Sequence, residues 1–484
     1  MNKKIGIMLL LAVTFPICSH GQTLEELYRM SLGNSYGIKS AAHSVEVKKS
    51  EASSAYGLLM PQISFDIAYT HLNDDLVLDL NPIRGAMIDL QSSNMASMAS
   101  MQDVLKGGKG YSDQQLAAVK AASKQKLETG IPSFTEVVKE QNFPQAIVSL
   151  KQPIFTGGKI YAGIAAAKQK ELIEEQNQKK TTNETALELY NAYLNFILAE
   201  ENQNVRTEVR DNINKHVEKA DKLMAAGLIT KYDKLKANLA LAEAERNLFE
   251  AERTKNLAKE ALLSVVNNPN EQITAVEKLK YKKINYDENY FYDLSVNNNP
   301  ILQSLGHGKI ALDYKKKAAL ADFFPTVFGF GFYNVFDHYM APGVEPKWGV
   351  GVGAHWEIFD GMRKTNNYKA ASEEAQANEM QLKEVDRKIK LLIKSKVLNM
   401  QLADAMYGKL ASEITLADEN LHLNRSRFES GLGVPLDVID AETQLEGLEL
   451  KRMKSLQEYY QSFAELCVIA GDNELFVKEW STIK

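Results

Sequence analysis

The sequence predicts an α+β membrane protein in which one unit, helix–β-hairpin–long helix–turn–helix, occurs twice. Three observations carry this. There are two proline-free helical runs of unusual length, four short strands with alternating side-chain size, and a constant register between the halves of the 484-residue chain. Phe155-Thr156-Gly157 matches Phe359-Asp360-Gly361, and Gly227-Leu228 matches Gly431-Leu432, both at a shift of 204. The same register joins Ala166 to Ala370, Asp233 to Asp437, Ala237 to Ala441 and Glu245 to Glu449. Upstream, Asn34 matches Asn298 and Pro61 matches Pro325 at a shift of 264, so the first copy holds 60 extra residues between Pro61 and Phe155.

Residues 1–21 read as a secretory signal peptide, with Lys3 and Lys4 before the apolar run Ile5–Val13 and small Ser19 and Gly21 before the cleavage point. That run, of about nine residues, is too short to span a ~30 Å hydrocarbon core as a helix. Of two cysteines, Cys18 lies in this segment, which leaves Cys467 and excludes a disulfide framework or a cysteine zinc site. A net charge of −5, with both signs mixed along the chain, gives no nucleic-acid footprint.

The first unit is expected over 22–266, with strands at about 61–76 and 144–155 and an insertion at about 77–142. The second is expected over 293–472, with strands at about 325–338 and 347–359. A linker at 267–292 and a tail at 473–484 complete the chain. In the first strand Ile63, Phe65, Ile67 and Tyr69 alternate with Ser64, Asp66, Ala68 and Thr70. Phe328, Phe330 and Phe332 alternate with Gly329, Gly331 and Tyr333. Trp348, Val350, Val352 and Trp356 alternate with Gly349, Gly351, Gly353 and His355. Runs of about ten residues suit tilted strands that cross a bilayer. The expectation is that Phe65, Tyr69, Phe328, Phe330, Phe332, Trp348 and Trp356 face lipid. Four strands cannot close a sheet in lipid, where an open edge leaves backbone groups unpaired. Three chains supply twelve strands and a lumen, so a homotrimer is expected.

The helical runs 159–226 and 363–430 would each reach ~100 Å at 1.5 Å per residue. Leu187, Tyr190, Leu194 and Ile197 in the first, and Leu235, Leu239 and Ala242 in its return helix, form narrow seams of coiled-coil type. Gly227 and Gly431 suit a helix C′ position. The chain re-enters a helix at Thr230, where Thr230-x-x-Asp233 reads as a capping box, and at Pro435, suited to the first helical position. Asp437 and Asp440 follow the second turn on one face of a helix start. In the insertion, Met87, Met95, Met98 and Met101 read as flexible apolar filler rather than a soft-metal site. Neither Gly107-Gly108-Lys109-Gly110 nor Gly157-Gly158-Lys159 has P-loop spacing, and no catalytic motif occurs. No enzyme activity, cofactor or metal site is expected.

The duplicated plan, the Phe-Thr-Gly-Gly-Lys and Phe-Asp-Gly strand-to-helix junctions and the Gly227 and Gly431 turns resemble the TolC family of bacterial outer-membrane efflux proteins, over nearly all of 22–472. The resemblance implies a trimeric twelve-stranded β-barrel continuous with a long periplasmic α-helical barrel. Such a channel-tunnel is the exit duct of a tripartite efflux or secretion system, partnered by a periplasmic adaptor (membrane fusion) protein and an inner-membrane transporter. It implies that the turns, Gly227, Leu228, Ile229, Thr230 and Asp233 with Gly431, Leu432, Gly433, Val434 and Pro435, meet the adaptor. It also implies that Asp437 and Asp440 narrow the periplasmic entrance. The family's gate tyrosine and arginine positions are here Phe428 and Gly433, so a latch would need other partners. The competing reading is a periplasmic coiled-coil adaptor or scaffold without a pore, which the duplicated strand pairs disfavour.

Overall fold

The computed structural model describes residues 23–268, 278–336 and 346–483. The signal segment with Cys18, linker residues 269–277 and the expected strand end at 337–338 lie outside the described residues. The elements are α1 (Leu24–Asn34), α2 (Tyr36–Gly57), β1 (Gln62–His71), β2 (Leu76–Asp79), α3 (Asn81–Leu105), α4 (Asp113–Gly130), β3 (Thr135–Lys139) and β4 (Asn142–Phe155). There follow α5 (Lys159–Ala225), α6 (Lys231–Val266), α7 (Glu288–Asn298), α8 (Pro300–Ala321), β5 (Thr326–Phe336), β6 (Trp348–His355), α9 (Arg363–Glu429), α10 (Pro435–Ala470) and α11 (Glu474–Ser481). Both ends of α1 and α7, and both ends of α2 and α8, are 264 positions apart. Both ends of α5 and α9, and of α6 and α10, are 204 apart. Among the described residues no helix is long and apolar enough to cross a membrane.

Contacts divide the chain into a helical unit (Met1–Ser54, Ala162–Lys317, Thr365–Lys484) and a strand-bearing unit (Ala55–Tyr161, Ala318–Lys364). The helical unit has an aromatic core in which Tyr190, Tyr193, Tyr460, Phe291, Phe463 and Phe476 are fully buried. The seam expected on α5 is there, since Tyr190, Leu194 and Ile197 are buried and Leu187 packs against them. The seam expected on α6 is not. Leu235 and Leu239 are exposed, and α6 instead buries Ala237, Ala244 and Ala251, a seven-residue repeat of small side chains, with Leu248. Alanine lets helix axes approach closely, which the larger leucines would prevent. The residues read as a tail form α11, whose Phe476 and Trp480 enter the core. The linker is held to α10, where the Tyr459 and Tyr460 hydroxyls accept from the backbone N–H groups of Ile284 and Lys282.

In the strand-bearing unit, β1, β4, β5 and β6 form one antiparallel sheet in the order β1-β4-β5-β6, and β2 pairs with β3 in a second, two-stranded sheet. The register corrects one expectation, that the aromatic rows share a face. Phe65 stands opposite Val148 and Tyr69 opposite Pro144, while Trp348 stands opposite Tyr333, Val350 opposite Gly331 and Val352 opposite Gly329. Phe328, Phe330 and Phe332 stand opposite Gly353, Gly351 and Gly349, and on their other side opposite Pro153, Lys151 and Ser149. Directly opposed residues project from the same side of a sheet. One face therefore carries Phe65, Tyr69, Trp348, Val350 and Val352, and the other carries Phe328, Phe330 and Phe332 beside Ser64, Asp66, Ser149 and Lys151. The cause is steric complementarity: on both faces of the β5–β6 pair, large side chains lie across from glycines. Trp356 lies just past β6, and its indole N–H donates to the Phe323 carbonyl at 3.1 Å.

A Cβ at Gly351 would fall 2.7 Å from the Phe330 ring. Gly351→Val is expected to splay the β5–β6 pair and lower the temperature at which the purified protein loses β-sheet circular dichroism, while Val352→Ile on the open face leaves it unchanged.

Candidate functional site

The two helical turns share one hydrogen-bonding scheme. Gly227 N–H donates to Met224 C=O and Leu228 N–H to Leu223 C=O, both at 2.9 Å. Gly431 N–H donates to Phe428 C=O at 3.1 Å and Leu432 N–H to Arg427 C=O at 2.9 Å. These are paired Schellman closures, and they require the left-handed φ that Gly227 (+72°) and Gly431 (+71°) adopt. The residue after each glycine is left in solvent, with Leu228 70% and Leu432 77% exposed. Ile229 packs inward against the Ile213–Val217–Ile439 cluster. Gly433 lies under the end of α9, where an added Cβ would be 3.0 Å from the Phe428 nitrogen.

The helix starts then diverge. At Thr230 the capping box is complete: Asp233 N–H donates to Thr230 Oγ1, and Thr230 N–H donates to the Asp233 carboxylate. The Thr230 hydroxyl, which donates to the Asp233 carboxylate at 2.6 Å, and then the Thr230 N–H hold that carboxyl below its ordinary pKa. At the equivalent turn Val434 has no side-chain acceptor, and Pro435 fills the first helical position and is buried. Asp437 is thereby released from capping. Asp437 and Asp440 are both exposed, and neither carboxylate has a partner among the described residues. Asp440 also borders a groove of about 260 Å³ shared with Lys236, Glu243 and Glu446.

Behind the turns lies an ionic cluster with buried carboxylates and partly exposed arginines, which sequence reasoning did not single out. Arg206 of α5 meets Glu446 of α10 at 2.6 Å. Glu442, one helical turn nearer the tip, lies 3.4 Å from His216 Nε2 on α5 and 3.5 Å from Arg425 on α9. The His216 ring stands edge-on to Phe428, and the Lys219 ammonium lies over the Phe428 ring, 5.0 Å from its centroid. Burial pushes the Glu446 carboxyl above its ordinary pKa, against the opposing pull of Arg206. Phe428 is thus a core residue that ties α9 to α5. Glu442 and Glu446 at i, i+4 on a face with buried Val438 and Ile439 were the available signal.

The sheet supplies a second candidate surface. Its face bearing Phe65, Tyr69 and Trp348 is apolar and exposed, whereas the opposite face carries Asp66 and Lys151. β1 and β6 are its two edges. No cluster of three or more metal-binding His, Cys, Asp or Glu occurs among the described residues.

A family model described as outer membrane efflux protein matches residues 139–268 and 291–472. Comparison with curated proteins returns no match. Among solved structures, the chain is similar to the outer membrane protein VceC from Vibrio cholerae, at 17% identity and a TM-score of 0.70, covering 93% of this chain and 96% of that one. It is similar to the CmeC outer membrane channel of Campylobacter jejuni, at 15% identity and a TM-score of 0.64 over 96% of this chain and 90% of that one. The open state of the Neisseria gonorrhoeae MtrE outer membrane channel aligns at 16% identity and a TM-score of 0.68, over 93% of this chain and 89% of that one. At such identities the likeness carries the fold, and the family rests on the model match. Because that match spans more than half of its length, the chain belongs to the outer membrane efflux protein family, whose place is the bacterial outer membrane.

Proposed function

We propose that this chain is the exit duct of a tripartite efflux or secretion system, conducting passively what an inner-membrane transporter and a periplasmic adaptor deliver. The observation that carries it is the four-stranded sheet with one uncharged apolar face, one polar face and two open edges. Three copies joined edge to edge would close twelve strands and satisfy the backbone in lipid. Phe65, Tyr69 and Trp348 then face lipid, and Phe328, Phe330 and Phe332 face the water-filled lumen beside Asp66 and Lys151. The constant 264 and 204 spacings of element ends support a duplicated unit, with the insertion confined to the first copy. The exposed Leu228 and Leu432 tips suit contact with the adaptor, and the surrounding turns present them. Asp437 and Asp440 line the periplasmic entrance, where threefold symmetry would converge six carboxylates and favour cations.

Planar-bilayer recording tests this reading. The unaltered protein should run as a heat-modifiable, SDS-resistant trimer and form cation-preferring pores. Asp437→Ala with Asp440→Ala should raise conductance and weaken cation preference. Unchanged currents would reject the gate assignment, and a soluble monomer would reject the channel.

A further inference from the structure

Helix α3, in the insertion between β1 and β4, has two unlike sides. Its inner side, with buried Ile88, Ser92 and Ala96, packs on α4. All three of its charged residues are tied on that side or at its end. Arg84 donates to the carbonyls of Glu128 and Ile131, Asp89 bridges Lys120 and Lys124 at 3.2 Å each, and Asp103 accepts from Gly110 N–H. The outer side is exposed and carries Ile83, Met87, Leu90, Asn94, Met98, Met101 and Leu105. Their steps are 4, 3, 4 and again 4, 3, 4. At ~100° per residue they fall within an arc of roughly 80°, opposite the buried side.

An exposed helix face of this length without one charge marks an interaction surface. Two features say what covers it. An eleven-residue repeat matches about 3.67 residues per turn, the period at which like helices pack with little or right-handed supercoil. The single polar residue, Asn94, stands at the centre of the stripe, the place where one buried Asn sets register among identical helices. A lipid surface is the poorer match, because α3 has no aromatic residue and its only cation, Arg84, is engaged by backbone carbonyls.

We infer that the outer stripe of α3 packs against the same stripe of two further copies of this chain, forming a parallel three-helix bundle on the threefold axis at the outer end of the duct. This rests on the trimeric channel reading above. The bundle would hold three Asn94 side chains together and narrow the exit independently of the periplasmic aspartates.

The test places a single cysteine at Leu90→Cys, Met101→Cys or, on the exposed side of α4, Gln125→Cys, and treats intact outer membranes with a short bismaleimide. Cys467 is buried and stays silent. Leu90→Cys and Met101→Cys should each link two of every three chains, and Gln125→Cys almost none. Unheated gels of the same samples report the trimer. Intact trimers without links at 90 and 101, or with equal links at 125, would overturn the bundle and leave the channel standing. Absence of trimers in these samples and in the unaltered protein would sink both.

Discussion

Val352→Lys should abolish the SDS-resistant form of the protein in outer membranes, while Phe332→Lys should leave it in place. The two residues lie on neighbouring strands, three positions apart in register, and sequence alternation alone treats them alike. Val352 is opposite Gly329 on the apolar face, and Phe332 is opposite Ser149 and Gly349 on the face that carries Asp66 and Lys151. A lysine on the lipid side near the bilayer midplane costs ~2–4 kcal/mol, and a trimer would incur it three times. On the lumen side the ammonium stays hydrated, and the change costs only the loss of a ring packed over Gly349. Membrane fractionation followed by unheated electrophoresis reads both. If both lysines were tolerated, neither face would be in lipid; if only Phe332→Lys failed, the assignment would be reversed.

Arg206→Ala should be the most destabilising single change near the helical tips. Glu446 is 5% exposed, and among the described residues its one ion-pair partner is Arg206 at 2.6 Å. Removing one member of a fully buried pair costs ~3–5 kcal/mol; the partly exposed Arg206 and the groove beside Glu446 place this pair below that figure. The pH dependence follows from linkage. Burial raises the carboxyl pKa in the folded state and Arg206 lowers it, so loss of the arginine raises it further. A raised acid pKa means the folded state holds the proton more tightly, so stability falls as pH rises above the unfolded value, near 4.5. The melting temperature of the helical signal should therefore drop little at pH 4 and most at pH 8. Arg206→Gln with Glu446→Gln should recover much of the loss. A pH-independent deficit in Arg206→Ala would mean that lost packing, not a stranded carboxylate, is the cause.

Much of this fold is legible in the sequence, for reasons that can be named. Gly227 and Gly431 are readable because glycine takes the left-handed φ of a Schellman closure at no steric cost. The helices are readable because their composition is uniform over many turns. The facing of Phe328, Phe330 and Phe332 is not readable, because alternation separates two faces within a strand but does not say which face of the next strand they join. Pairing register decides that, and a slip of one residue inverts it. Leu235 and Leu239 mislead in another way. A seam of leucines looks buried, but in those turns α6 faces inward with Ala237 and Ala244 instead. The ionic cluster of Arg206, His216, Arg425, Glu442 and Glu446 is hidden because charged residues in a long polar helix resemble a solvated face. Asp437 is legible only in part. Its match to Asp233 suggests a cap, and it takes the Val434 start to show that the cap is unmade.

The docking of α11 has a consequence for biogenesis. Asn473, just before it, accepts at Oδ1 from the Tyr28 hydroxyl and at its carbonyl from Tyr190, contacts that span 445 and 283 positions of chain. Such long loops must be closed before the aromatic centre is complete. Until the last segment arrives, the early helices therefore hold Tyr28 and Tyr190 without the partners that bury their hydroxyls.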